Sequence, residues 1–178
     1  PYQTLLERVV AAQAGLIAHW LSLGFIHGVM NTDNTTVSGE TIDYGPCAFM
    51  DEFQARKVFS SIDTGGRYAW GKQPEIGLWN LTRFAETLLP LLAEVEAEAI
   101  STAEQVLQGY AGRFSTEFGR RFRAKLGLAD EVDGERIQAC LDLLEQQRVD
   151  FTVFFRRLTE VAGGGDVEPL CALFEDRA

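Results

Sequence analysis

The chain contains no apolar run approaching about 18 residues, so no segment is long enough to span a bilayer. Only three of its 178 residues are cysteine, too few and too scattered for a disulfide scaffold or a zinc site. It has no low-complexity tract, and aromatic residues make up 11% of the chain, a composition that excludes disorder. The first residues lack the basic and apolar regions of a secretion signal. These absences predict a globular, non-membrane protein of a reducing, cytoplasmic compartment.

Basic residues are also scarce. Sixteen Lys and Arg stand against 26 Asp and Glu, which gives a net charge of −10. A surface of this charge repels phosphate backbones, so we expect no nucleic-acid partner. ATP remains compatible with the charge, because a bridging metal ion supplies the missing positive charge. The chain begins without a methionine, from which we expect a fragment of a longer protein.

Apolar residues make up 46% of the chain, enough for one core, and we expect residues 1–178 to form a single domain. They recur every three or four residues from Leu6 to Leu21, which predicts a first helix that Gly24 terminates. Helical spacing returns from Gln73, and residues 74–178 read as a helical remainder in which Pro90 disturbs the end of one helix. The predicted fold class is mainly α with one small β-hairpin.

The hairpin is predicted within residues 27–46, a stretch rich in Asn, Asp, Thr and Gly. A two-residue turn at Ser38-Gly39 would pair Thr36 with Thr41 and Asn34 with Asp43; a four-residue loop keeps this register, whereas a three-residue loop would shift it. Directly opposed residues have Cβ atoms about 4.5–5.5 Å apart. The side chains of Asn34 and Asp43 would therefore converge on one point.

Two side-chain oxygen ligands, completed by water and nucleotide phosphates, suit Mg²⁺. We therefore predict that Asn34 and Asp43 bind the metal. Asp33 adds a carboxylate close enough to accept a proton from an attacking hydroxyl. From the residues alone an alternative stays open, in which these polar side chains only cap turns in a solvated hairpin.

The order of these parts is similar to that of protein kinases, in which a catalytic-loop His and Asp precede a metal-binding Asn, and a hairpin leads to Asp-Phe-Gly. Here His27 opens the loop, Asn34 ends it, and Asp43-Tyr44-Gly45 follows. The longer strings HGVMNTDN, IDYGP, GRYAW and QPEIGLWNLTRFA closely resemble the selenoprotein O (SelO) family. The resemblance runs from the first helix to the helix after Gln73 and weakens beyond it.

This resemblance implies a pseudokinase-like protein adenylyltransferase, which moves AMP from ATP to Ser, Thr or Tyr hydroxyls of proteins. Asp33 would match the family's proton acceptor. Asn34 and Asp43 would match its ligands for Mg²⁺ or Mn²⁺, with Asp43 also near ATP. The implied fold is the C-terminal helical lobe of a protein-kinase-like fold.

The family's N-terminal lobe, with its glycine-rich loop and ATP-contacting lysine and arginines, has no counterpart in the chain. We therefore expect residues 1–178 alone to be inactive and the missing N-lobe to be their partner. Two other functions stay open: an ATP-dependent phosphotransferase, and a kinase-like binding module without turnover.

Several nearby residues are expected to be structural. His27 should hydrogen-bond to backbone. An ion pair of Arg67 with a carboxylate is expected, with Tyr68 packed in the core. Trp79 and the phenylalanines of residues 151–155 are expected to be core residues at helical spacing.

Overall fold

The computed structural model describes residues 1–129 and 134–174. Helices account for most of it. They are α1 (Tyr2–Ser22), α2 (Gln73–Leu92), α3 (Glu96–Leu126), α4 (Gly134–Gln146), α5 (Phe151–Ala162) and the short α6 (Glu168–Cys171). Two short strands, β1 (Phe25–Ile26) and β2 (Ala48–Phe49), and two 3₁₀ turns, Thr32–Asn34 and Trp70–Lys72, lie between α1 and α2. The mainly helical class predicted from the sequence is confirmed.

The scaffold is a three-helix arrangement in which α1, α2 and α3 each pack against the other two. The buried side chains of α1 follow the three- and four-residue spacing seen in the sequence, because that spacing places them on one helical face. They form one cluster with α2 and α3, made up of Leu6, Val9, Val10, Ala14, Leu81, Ala85, Leu88, Ala103 and Tyr110. These side chains hold α1, α2 and α3 together.

A second core cluster lies at the other end of α1 and is rich in aromatic residues. Phe151, Phe154 and Phe155 of α5 are buried in it, as their spacing predicts. Phe122 of α3 packs edge-on against Phe151 and Phe155. Asp150 caps α5 by accepting a hydrogen bond from the Val153 amide at 2.7 Å, which satisfies one of the free amides at the helix start.

The ends of α1 and α2 lie near the residues that the sequence indicated. Gly24 follows α1 with a φ of +70°, so the predicted glycine stop is confirmed. Pro90, expected to disturb the end of α2, lies inside the helix, which continues to Leu92. The long helix α3 starts at Glu96, so the exposed acidic stretch 94–98 contributes its first turn. Among the described residues, no helix has both the length and the apolar character needed to cross a membrane.

The β structure is a two-stranded antiparallel sheet that is not the predicted tight hairpin. β1 pairs with β2, with Phe25 opposite Phe49 and Ile26 opposite Ala48. The predicted hairpin region carries only an isolated bridge, in which Thr35 pairs with Thr41. The expected strands around Ser38-Gly39 are therefore wrong, and the sheet instead closes the long loop that connects β1 and β2.

Candidate active site

The candidate active site is the loop of residues 27–47, which the β1–β2 pair closes at its base. His27 begins the loop and is fully buried. Its Nε2 lies 2.8 Å from the carbonyl oxygen of Ile42, so a ring N–H at this position donates across the loop. This contact fixes the backbone of the residue before Asp43. The prediction that His27 is structural and bonds to backbone is confirmed.

Gln73, the first residue of α2, anchors the base of the loop. Its side chain is fully buried. Its Oε1 accepts a hydrogen bond from the His27 amide at 3.0 Å, and its Nε2 donates to the Phe25 carbonyl, also at 3.0 Å. One side chain thus satisfies two buried backbone groups on either side of Ile26. Such groups are costly when left without partners.

The predicted hairpin register is wrong by one residue. The structure pairs Thr35, not Thr36, with Thr41, because residues 36–40 form a wider loop held by contacts with α1. The Thr36 hydroxyl donates to the Glu40 carbonyl and accepts from the Glu40 amide. Gln13 of α1 donates to the Thr36 carbonyl at 2.6 Å. These contacts, two within the loop and one to the helix, replace the two-residue turn.

Asn34 and Asp43 nevertheless contact each other. The Asn34 amide nitrogen donates a hydrogen bond to Oδ2 of Asp43. The two side chains meet through local backbone conformation and not through strand pairing. Asn34 ends the 3₁₀ turn Thr32–Asn34, and Asp43 has a left-handed φ of +55°. Asp is one of the few residues that adopt this conformation at modest cost.

The chemistry of this pair fits a divalent cation. Oδ1 of Asn34 is buried and has no hydrogen-bond partner within residues 1–129 and 134–174, and Oδ2 of Asp43 lies against the same amide. A flip of the amide would present its oxygen beside the carboxylate. In the described part of the chain, no three His, Cys, Asp or Glu side chains come together as a metal cluster. Two side-chain oxygens, completed by water and phosphate oxygens, are a ligand set that Mg²⁺ accepts.

Asp33 lies next to this pair in the middle of the 3₁₀ turn. Its side chain is exposed, and within the described ranges its carboxylate has no hydrogen-bond or ion-pair partner. The backbone N–H of Asn34 donates a hydrogen bond to the Asn31 carbonyl at 3.0 Å, and this bond closes the turn. The Asp33 carboxylate is thus open to a ligand and is not used as the turn cap that the sequence left as an alternative.

The sequence did not reveal Asn80, which like Gln73 supports the loop from below. Asn80 of α2 is buried, and its Nδ2 donates to the Met30 carbonyl at 3.0 Å and to the Thr35 hydroxyl at 3.1 Å. It holds both sides of the turn that carries Asp33 and Asn34. The spacing in the sequence could have indicated this role, because Asn80 follows Gln73 by seven residues and so lies on the same face of the helix.

The segment before α2 also differs from expectation. The Tyr68 hydroxyl donates to Oδ1 of Asn31 at 2.6 Å, and its ring packs against the core as predicted. The expected ion pair of Arg67 is wrong, because its guanidinium carbon lies 4.9 Å from the ring centroid of Trp79. Trp79, expected in the core, is 41% exposed.

Comparisons with known proteins agree with the motif. A sequence model of the family described as "Protein adenylyltransferase SelO" matches residues 1–169. The chain belongs to the SelO family. The match extends well past the helix after Gln73, where the resemblance of the motifs had weakened.

Bacterial relatives named "Protein nucleotidyltransferase YdiU" are similar over nearly the whole chain. One from Bradyrhizobium sp. (strain BTAi1) is 56% identical over 178 residues, which cover 99% of this chain and 36% of the relative. One from Methylorubrum extorquens is 53% identical, with 95% and 34% covered. One from Mycolicibacterium paratuberculosis is 54% identical, with 99% and 37% covered. The chain spans about a third of the length of these SelO-family relatives.

Proposed function

We propose that the full-length product of the gene encoding this chain is a metal-dependent protein adenylyltransferase, which transfers AMP from ATP to Ser, Thr or Tyr hydroxyls of proteins. The observation that carries the proposal is the contact between Asn34 and Asp43, with the Asp33 carboxylate open beside it. Membership of the SelO family gives the nucleotidyltransferase class.

In this proposal Asn34 and Asp43 hold Mg²⁺ or Mn²⁺ through Oδ1 of the amide and the carboxylate. When bound, the metal ion neutralises charge on the ATP phosphates and orients them. The protein contributes a fixed pair of ligands. His27 holds the Ile42 carbonyl and Asn80 holds the turn, so the ligands are positioned before the nucleotide binds.

Asp33 acts as the proton acceptor. The acceptor hydroxyl oxygen forms a bond to the α-phosphorus of ATP, and the bond from that phosphorus to the bridging oxygen of the β-phosphate breaks. Pyrophosphate leaves, and the hydroxyl proton passes to the Asp33 carboxylate. The exposure of this carboxylate favours the role, because a general base must reach the proton that it removes.

We also propose that the chain forms the helical lobe of a kinase-like fold. In this proposal the loop supplies Asn34 and Asp43 as metal ligands and Asp33 as the proton acceptor. Most nucleotide contacts would then come from the part of the protein outside residues 1–178. The isolated chain should accordingly transfer little or no AMP.

The test is intact-protein mass spectrometry of an acceptor protein after incubation with the full-length protein, ATP and Mg²⁺. A gain of one AMP supports the proposal, and a gain of one phosphate would favour the phosphotransferase. Asp43→Ala and Asn34→Ala should each lower the transfer rate by about 100-fold or more, as loss of charge stabilisation at a transferring phosphoryl group does. Asp142→Ala, which removes an exposed carboxylate of α4, serves as the matched control.

Two outcomes would contradict the proposal. Undiminished AMP transfer by Asp43→Ala would remove the metal-ligand role of this residue. If the wild-type protein binds ATP but the mass of the acceptor protein does not change, the result would favour a binding module without turnover.

A further inference from the structure

A basic and aromatic surface lies beside the candidate site. Trp79 of α2 is 41% exposed, and two guanidinium groups contact its indole ring. The guanidinium carbon of Arg67 lies 4.9 Å from the ring centroid, and that of Arg83 lies 5.5 Å from it. We call Arg67, Trp79 and Arg83 the arginine–tryptophan patch. Stacking of this kind fixes an otherwise mobile arginine while leaving its N–H groups free to bind a ligand.

Two independent contacts join the patch to the candidate site. On one side, Tyr68 follows Arg67 directly, and its hydroxyl donates to Asn31, two residues before Asp33. On the other side, Arg83 and Thr32 line the same cavity of about 270 Å³, and Thr32 immediately precedes Asp33. A peptide that presents a hydroxyl to Asp33 would therefore pass close to the patch.

The charge of the patch is not fully balanced within the described residues. Arg83 forms an ion pair with Glu86 at 2.7 Å, although its Nε is buried without a hydrogen-bond partner in the described ranges. Arg67 has no carboxylate within ion-pair distance in the same ranges. The nearby Asp63 carboxylate does not pair with the guanidinium group of Arg67. It accepts hydrogen bonds from the backbone N–H groups of Arg67 and Tyr68, each at 2.8 Å.

The overall charge makes this imbalance informative. A chain of net charge −10 repels acidic partners over most of its surface. Two guanidinium groups that share one exposed indole form a local exception, placed where an acceptor would approach. An arginine held by stacking and open on its edge matches the planar, bidentate geometry of a carboxylate.

We propose that the arginine–tryptophan patch binds an acidic side chain of the acceptor protein, an Asp or Glu close in sequence to the modified hydroxyl. This inference rests on the proposed function, because it names the substrate class of that site. Arg67 makes the main contact with the carboxylate, and Trp79 holds Arg67 in place. Arg83, already paired with Glu86, contributes its remaining N–H groups.

The test uses fluorescence anisotropy with the full-length protein and two labelled peptides. Both carry one serine; in one it is flanked by Asp and Glu, and in the other by Asn and Gln. The wild-type protein should bind the acidic peptide about tenfold more tightly, and Arg67→Gln should remove most of that preference. Arg67→Lys should retain part of it, because it keeps the charge and loses the bidentate geometry. Arg136→Gln, at an exposed arginine of α4, is the control.

A charge exchange sharpens the test. Arg67→Glu should weaken binding of the acidic peptide and improve binding of a peptide in which Lys flanks the serine. Equal or undetectable binding of the acidic peptide by the wild-type protein would overturn the inference. So would a preference that survives in the Arg67→Gln, Arg83→Gln double variant.

The binding readout separates this inference from the proposed function. Preference for the acidic peptide without any AMP transfer would leave the patch as a peptide-binding site and remove the transferase proposal. AMP transfer to both peptides with equal kcat/KM would support the transferase and remove the role of the patch.

Discussion

Replacement of Gln73 by leucine should loosen the candidate site from its base. The substitution keeps a similar volume but removes both hydrogen bonds of the side chain. The His27 amide and the Phe25 carbonyl would then lie buried with no replacement partner. Both residues are buried, with Phe25 6% exposed and His27 fully enclosed, so water could not take the place of the lost amide.

The cost can be worked from these two groups. An unsatisfied buried polar group costs about 1–3 kcal/mol, so two of them should raise the free energy of the closed loop by about 3 kcal/mol once some relaxation is allowed. At about 1.4 kcal/mol per factor of ten, amide protection from hydrogen exchange in the loop should fall by about 100-fold. The proposed AMP transfer should fall with it, because the proposed metal ligands Asn34 and Asp43 lie on the same loop.

Hydrogen exchange followed by mass spectrometry measures this change directly in peptides that cover residues 25–45. Gln138→Leu is the control, because this exposed glutamine of α4 bonds only to Asp142 four residues away. The control should leave protection in residues 25–45 unchanged. Wild-type protection in the Gln73→Leu variant would refute the argument that this side chain anchors the loop.

Two further predictions concern the helical scaffold. A Cβ at Gly77 would lie 2.2 Å from Cδ1 of Ile17, so Gly77→Ala should lower the unfolding free energy by about 1–3 kcal/mol despite alanine's helix propensity. Gly112→Ala has open space around the added Cβ, so it should not lower the unfolding free energy. Equal denaturation midpoints for the Gly77→Ala and Gly112→Ala variants would contradict this. Burial lowers the pKa of Lys125 from 10.5 to about 8, so between these values the unfolded state binds more protons and stability rises with pH. Over this pH range the unfolding free energy of the wild type should rise by about 1–2 kcal/mol relative to that of Lys125→Met. The rise is smaller than the full pKa shift implies, because the amine is partly exposed. A difference between the two proteins that does not change with pH would contradict this prediction.

The helices could be predicted from the sequence because their signals are local. The spacing of apolar residues in α1 and α5 directly reflects which face is buried, and Gly24 sits where a left-handed residue is needed. Pro90 interrupts a helix by its own geometry, and α2 ends two residues after it, at Leu92. The predicted pairing of Thr36 with Thr41 was wrong where a contact with α1 competes with a local turn rule.

The contact between Asn34 and Asp43 was predicted for a reason that the structure does not support. The predicted contact required regular strands with a tight turn at Ser38-Gly39. The turn is wider, and Gly39 lies so close to α1 that a Cβ there would be 2.7 Å from Cβ of Ala12. The contact of Gly39 with Ala12 joins residues far apart in sequence, so turn preferences cannot predict it. The two side chains meet through a 3₁₀ turn and a left-handed aspartate.

The residues that hold the site together are the ones that sequence reasoning missed, and the cause is physical. Gln73 and Asn80 act on backbone groups almost 50 positions earlier in the chain, and no local rule connects a side-chain amide with a distant carbonyl. What the sequence does contain is two polar amides on the otherwise apolar face of α2. A buried amide is costly unless it has partners, so such a face implies that unpaired backbone lies against it. In this chain that backbone belongs to Phe25, His27 and Met30, ahead of the turn of Asp33 and Asn34. The helix therefore both buries apolar surface and positions the candidate catalytic loop.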